Sequence, residues 1–234
     1  MSPEMRLESL ALSDTPPALT LADKALQAIQ TSIIKGELAP GSKINEQMLA
    51  QRYGISRGPT REALLTLERR RLVVRVPHVG ARVAQLSIEE LNDLYRLRSV
   101  LEGMACELAA QHITPAALMQ LQSLMDNQEE ALAKGDTYFQ QDGDVDFHYR
   151  IIRASGSRHL QETLIGNLYH LLRMYRYQCT SETRPTRAIA EHRNIVNAIA
   201  EGDGELASLL MRRHIEQGRI NTEKRLKALQ AEQR

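Results

Sequence analysis

The chain has no tryptophan, two phenylalanines and two cysteines among its 234 residues. With so few large aromatics, cores must be filled by leucine, alanine and their neighbours in propensity, which favours helix. Cys106 and Cys179 lie far apart and belong to no Cys-x-x-Cys pattern. That speaks against a disulfide scaffold and for reduced core thiols of a cytoplasmic protein. No apolar run approaches the length of a bilayer span, so no membrane partner is expected. Glu4, Arg6, Glu8 and Asp14 interrupt any apolar core near the N-terminus, which excludes a secretory signal from the expectation.

A strong charge of either sign is also missing, since the net charge is +1. The distribution is more informative than the total. Residues 22–84 carry 11 Lys and Arg against 5 Asp and Glu, whereas residues 85–234 carry 18 against 21. A basic segment joined to a neutral or acidic one is the asymmetry of a nucleic-acid reader attached to a partner domain.

What is present divides the chain into three parts. Residues 1–21, with Pro16 and Pro17, read as a flexible arm. Residues 22–84 hold three helical patterns and two short strands. Ala25, Leu26, Ile29 and Ile33 share one face of the first helix, and Gly36 stops it. Pro40-Gly41 turns the chain, and Asn45 caps a second helix whose Met48, Leu49 and Tyr53 face inward. Gly54 makes a tight turn and Ser56 caps a third helix, with Pro59 in its first turn. This third helix carries Arg57 and Arg61 one turn apart on one face, then Ala63, Leu64, Leu65 and Leu67. Strands at residues 72–74 and 82–83 flank a tip at Pro77, His78, Val79 and Gly80. Three helices and a hairpin make a winged helix-turn-helix, in which the third helix enters the DNA major groove. Arginine is the side chain that pairs bidentately with guanine.

Residues 87–229 read as helix throughout and as an antiparallel bundle. Ser87 and Glu90 make a capping-box pattern, followed by Leu91, Leu94, Leu97, Leu101, Ala105 and Leu108 at helical spacing. Further helices start at Thr114-Pro115, at Asp136, near His159, near Thr186 and at Asp203. The linker between the parts is about Ala84 to Leu86, short enough to couple them mechanically. The expected fold class is therefore mainly α: an N-terminal winged helix-turn-helix followed by an all-helical antiparallel bundle. Inside the bundle Asp144 and His148 lie at i and i+4, with His192 and His214 on the last two helices. One carboxylate and three imidazoles can hold a divalent transition metal, or can simply pack. Arg98 and Glu102 sit four apart on the first bundle helix, either as a surface pair or, since Leu97 and Leu101 are expected to make that helix largely buried, as a buried anion anchor. His159 and His170 are assigned to structure or a cavity wall.

The run GELAPGSKINEQMLAQRYGISRGPTREALLTLERRRLVVRVPHVGARV resembles the DNA-binding domain of the GntR family of bacterial transcription regulators. The resemblance implies base and phosphate contacts by Arg57 and Arg61, with Ser56 and Thr60 in the same DNA-facing set, and a minor-groove approach by Gly80. Val79 stands where the family usually has a wing arginine. Arg70 and Arg71 stand where it usually has Glu-Gly, and with Arg69 they would supply extra phosphate contacts. The pattern around Asp144, Phe147 and His148, then Glu191-His192 and His214-Ile215, is similar to the effector domain of the FadR-type branch, known as FCD. That similarity implies a metal at Asp144, His148, His192 and His214, with zinc first and nickel or another metal as alternatives. It further implies a small organic acid as effector, with Arg98 as its anchor. The expected partners are a palindromic double-stranded DNA operator and a second copy of the chain. The expected role is a ligand-responsive regulator, more often a repressor, and not an enzyme. Two alternatives remain at this point: a metalloenzyme using the same Asp and His residues, with Asp146 or Glu191 as base, and a DNA-binding protein without effector.

Overall fold

The computed structural model describes residues 20–134, 143–179 and 186–232, with backbone alone over 143–146. Most of the predicted arm, the predicted helix start at Asp136 and the break at residues 181–185 lie outside the described residues.

Helix α1 (Leu21–Ile34) starts on a reciprocal cap, in which Thr20 Oγ1 accepts from Asp23 N–H and Asp23 accepts from Thr20 N–H. Helix α2 (Glu46–Tyr53) starts on Asn45, whose Oδ1 accepts from the amides of Gln47 and Met48. It ends on Gly54 in the left-handed region at φ 65°, a conformation glycine adopts without Cβ strain. Helix α3 (Arg57–Arg69) follows. Ser56 has the extended backbone of a cap residue, but its hydroxyl makes no cap bond. The hydroxyl that acts here is Thr60 Oγ1, which donates to Ser56 O at 2.9 Å. Ile29, Ile33, Leu49, Ala63, Leu64 and Leu67 close the core beneath these helices. Met48 is 51% exposed, so the inward placement expected for it does not hold, and Leu65 of α3 is equally exposed.

The wing is longer than its sequence pattern. Strands β1 (Val73–Val76) and β2 (Gly80–Val83) pair antiparallel, with Val73 opposite Val83 and Val76 opposite Gly80. The tip turns through His78 at φ 62° and Gly80 at φ 99°. The segment after Pro40 braces β2, with Ile44 N–H donating to Ala81 O and Val83 N–H donating to Ser42 O.

Among the described residues the second part holds seven α-helices: α4 (Ile88–His112), α5 (Pro115–Ala133), α6 (Gly143–Ala154), α7 (Arg158–Thr163), α8 (Tyr169–Gln178), α9 (Thr186–Ala200) and α10 (Gly204–Glu232). Ser87 caps α4 and Thr114 caps α5, with Pro115 in the first turn where a missing N–H is tolerated. The long α4 and α10 pack along one another, and α9 packs against α4, α5 and α10. The helix expected across residues 159–179 is interrupted by a π turn at Leu164–Leu168. Cys106 and Cys179 are buried free thiols. Among the described residues no helix is long and apolar enough to cross a membrane.

The two parts meet through α8. Tyr175 Oη accepts from Ser87 N–H and donates to Ser87 O, clamping the residue that joins wing to bundle. Gln178 Nε2 donates to Ile33 O at the end of α1. His170 of α8 lies beside Arg70 and Arg173, and burial followed by these two arginines pushes its imidazole down to about 4. A histidine depressed in the folded state binds fewer protons than in the unfolded state between its two pKa values. His170 therefore costs no stability above about pH 6.5, and its penalty grows as the pH falls toward about 4. His170→Gln is expected to remove on the order of 2 kcal/mol of this acid destabilisation. Urea unfolding at pH 7 and pH 4.5 checks this, and equal pH dependence in variant and wild type refutes it.

Candidate functional site

The reader surface is built at the N-terminal end of α3. Ser56, Arg57 and Arg61 are exposed there, and Gly80 is exposed at the wing tip. Arg61 is held by Glu46 of α2 at 3.1 Å while its side chain stays 67% exposed. Such a surface pair is weak and gives way readily to a phosphate or base. Among the described residues Arg57 takes no ion-pair partner. The wing and the segment before it add Lys43, Arg75 and Arg82; Arg82 Nη1 donates to Gly41 O, and Arg75 pairs with Glu68.

The geometry gives three of the expected DNA contacts other surroundings. Thr60 is fully buried, because its position faces the α1 core while its hydroxyl satisfies the Ser56 carbonyl. Arg70 turns back to α1, where Nη1 donates to Gln30 Oε1 at 2.6 Å, close to His170. Arg71, in the left-handed region at φ 57°, lines a crevice of about 250 Å³ with Glu89, Glu90 and Asp93 of α4. Arg70 thus turns toward α1, whereas Arg69 and Arg71 remain exposed and Arg69 donates to Thr66 of its own helix. The helix has two ends with different jobs, which a count of arginines along the sequence does not reveal.

The second site lies inside the bundle. His148 of α6, His192 of α9 and His214 of α10 offer ring nitrogens that all lie within 4.8 Å of one another. His148 and His192 are buried, and the His214 side chain is 12% exposed. His192 Nε2 and His214 Nε2 face each other at 3.1 Å. Two imidazoles bound to one zinc-like ion at about 2.0–2.1 Å would hold their nitrogens about 2.9–3.4 Å apart. Two of the three rings are oriented from behind. Glu102 Oε2 lies 2.6 Å from His148 Nδ1, and Glu191 Oε2 accepts from His214 Nδ1 at 2.9 Å. A proton fixed on Nδ1 leaves Nε2 as the ligating nitrogen of each ring. His192 is held by stacking on Phe147, with centroids 3.8 Å apart. The donor set and its spacing thus fit a divalent transition ion. Asp144 belongs to α6, and its side chain lies outside the described residues.

Arg98 is buried at 3% exposure, although Leu97 beside it is 48% exposed. The expected reason for burial, flanking leucines, is therefore incorrect. Arg98 is enclosed because its guanidinium lies between the rings of Tyr95 and Tyr169, at 5.1 and 5.5 Å from their centroids. Its Nε donates to Glu102 Oε1 at 2.6 Å. Burial pushes the Glu102 carboxyl up, but Arg98 and His148 outweigh it and hold the group well below the usual carboxylate range. Burial and the Glu102 charge push the Tyr169 phenol well up, so it stays a neutral donor. Sequence reading paired Arg98 with Glu102 but missed that the same carboxylate serves His148. Tyr169 gave no signal at all, and Glu191 was weighed as a base, not as the group that orients His214.

A winged helix-turn-helix presenting arginines, joined to a helical sensor-like bundle, defines a DNA-binding transcriptional regulator. The sequence matches the bacterial regulatory proteins of the gntR family over residues 21–83 and the FCD domain over residues 93–217. The chain belongs to the GntR family and carries an FCD domain. It is 30% identical over 201 residues to the HTH-type transcriptional repressor GlaR of Escherichia coli (strain K12), covering 80% of this chain and 89% of that one. It is 30% identical over 197 residues to a probable D-xylose utilization operon transcriptional repressor of Paenarthrobacter nicotinovorans, covering 84% and 86%. A solved structure of E. coli McbR/YncC superposes at TM-score 0.70 with 25% identity, over 86% of this chain and 96% of that one. These relatives are regulators and not enzymes, which sets the metalloenzyme alternative aside.

Proposed function

We propose that this regulator is a cytoplasmic, homodimeric repressor whose grip on a palindromic operator is relieved by a small organic acid bound in a metal-containing bundle. The observation that carries the reading is the continuity from a buried arginine through Glu102 to three clustered histidines, inside a domain four residues from the wing. Repression is supported by the two relatives named as repressors. The proposed metal, zinc first, is held by His148, His192 and His214 with Asp144 as a fourth ligand. When bound, it supplies a Lewis-acid centre for an effector oxygen. Arg98 supplies the complementary charge for a carboxylate, and Tyr95 and Tyr169 keep water from its flanks. The response reaches the reader along α8, because Tyr169 touches Arg98 at one end while Tyr175 and Gln178 hold Ser87 and α1 at the other. An effector with different affinity for two arrangements of this contact suffices to shift DNA binding.

Dimerisation is supported by an apolar face on α4 and α10. Leu97, Val100 and Met104 are 48%, 59% and 48% exposed, and Leu209 and Ile220 of the adjoining helix are 44% and 45% exposed. A contiguous apolar surface on paired long helices suits a second copy of the same chain.

Three outcomes test the reading. Arg57→Ala and Arg61→Ala should each weaken operator binding by about 5- to 150-fold, at unchanged melting temperature, as loss of one bidentate base contact would; wild-type affinity in a gel-shift titration removes them from the interface. His214→Ala should lower zinc content from about one ion per chain to near zero in tag-free protein; undiminished zinc by mass spectrometry returns the histidines to a packing role. Val100→Glu should convert a two-chain particle into a single chain in light scattering; a wild type that already runs as one chain rejects the dimer.

A further inference from the structure

Glu102 serves two partners with one carboxylate. Oε1 accepts from Arg98 Nε at 2.6 Å and Oε2 lies 2.6 Å from His148 Nδ1, with both Glu102 and His148 about 1% exposed. Arg98 donates to Glu102 through Nε, and its two terminal Nη groups are the donors that an incoming anion would meet. We propose that Glu102 is the positioning residue that couples anion occupancy of Arg98 to the metal affinity of the His148, His192 and His214 cluster. This rests on the metal and effector reading given above.

The argument is electrostatic. Without an anion, Glu102 is the carboxylate that balances the buried guanidinium among the described residues, and its charge is drawn toward Arg98. A carboxylate arriving on the Nη edge takes over part of that balance. The charge of Glu102 is then more available to the His148 Nδ1 beside it, and the ring's Nε2 becomes a better donor to a cation. In a poorly screened interior such an effect survives over the few ångströms involved. Linkage makes it reciprocal: the ion must raise the affinity for the anion by the same factor. Glu191 provides the contrast. It orients His214 in the same way, but it is 25% exposed and its other partner is Arg187, which is 73% exposed and screened by water. Glu191 supports the metal ligand with no route to a buried anion.

The test is a zinc titration of the full chain against a chromophoric chelator, in sodium acetate and in sodium chloride of equal ionic strength, with acetate as the probe anion. Acetate should raise wild-type zinc affinity about 5-fold. Glu102→Gln should lower zinc affinity by about 10- to 100-fold and abolish the acetate effect, whereas Glu191→Gln should lower affinity while keeping it. Circular dichroism confirms that each variant is folded, and Arg98→Lys, which keeps a charge beside Glu102 but loses the planar edge, should retain zinc and lose the acetate effect if Glu102→Gln does not fold. An acetate effect that survives in Glu102→Gln overturns the inference. Wild type that binds zinc equally in both salts overturns this inference alone, and wild type that takes up no zinc overturns the metal reading with it.

Discussion

The bundle is organised around one buried charge that cannot be left alone. Arg98 is enclosed between two tyrosine rings, and a guanidinium so placed requires a carboxylate at contact distance. Removing one partner of such a pair typically costs about 3–5 kcal/mol, because the other remains charged and unsolvated. Glu102 meets that requirement and in doing so fixes His148 of α6 against α4. The remaining positions follow. Phe147 next to His148 stacks on His192, and His192 faces His214, so α4, α6, α9 and α10 are tied through one polar cluster. Hydrophobic packing alone would hold these helices together without setting their register, since leucine faces tolerate sliding. The polar cluster sets it.

The same economy of contacts explains the junction with the reader. Arg70 and Arg71 stand at the end of α3, where exposure to DNA looked natural from composition. The structure turns Arg70 to Gln30 and places Arg71 beside the acidic first turn of α4. Glu89 and Glu90 sit at a helix N-terminus, where carboxylates are already favoured, and Arg71 adds a second reason for them. One end of α3 is thus free to meet a nucleic acid and the other is committed to the bundle. Any displacement of the bundle's surface at Glu90 or His170 acts on the recognition helix directly, with no flexible tether between.

Much of this was legible in the sequence because it rests on local rules. Asn45, Gly54, Ser87 and Thr114 mark helix ends by chemistry that needs no tertiary context, and the three histidines share a region because helical periodicity turns each of them inward. Thr60 and Ser56 show the limit of that reading. Ser56 stands at the cap position without making the cap bond, and Thr60 is buried with its hydroxyl donating to the Ser56 carbonyl, which no local rule predicts. Arg98 shows a second limit. Its burial was expected from flanking leucines, yet Leu97 is exposed and the enclosure comes from Tyr169, 71 positions away in the chain. Partnerships across helices, such as Tyr175 with Ser87, leave no periodic trace.

Tyr169 itself depends on the irregularity just before it. Leu160 and Leu164 are buried four residues apart, as an α-helix requires, but the next inward residue is Tyr169, five positions on. An unbroken α-helix would carry Leu168 to that face and place an aliphatic chain against the Arg98 guanidinium. The π turn at Leu164–Leu168 inserts the additional residue, so Leu168 passes to the crevice beside Arg71 and Tyr169 takes the inward place. A π turn gives up good hydrogen-bond geometry and persists where the displaced face has a use. Here the use is double. The shift brings a phenol to the buried charge and, by advancing every later residue, aligns Tyr175 with Ser87 and Gln178 with the end of α1. A single register change in one helix therefore sets both the contact with Arg98 and the contacts with the DNA reader.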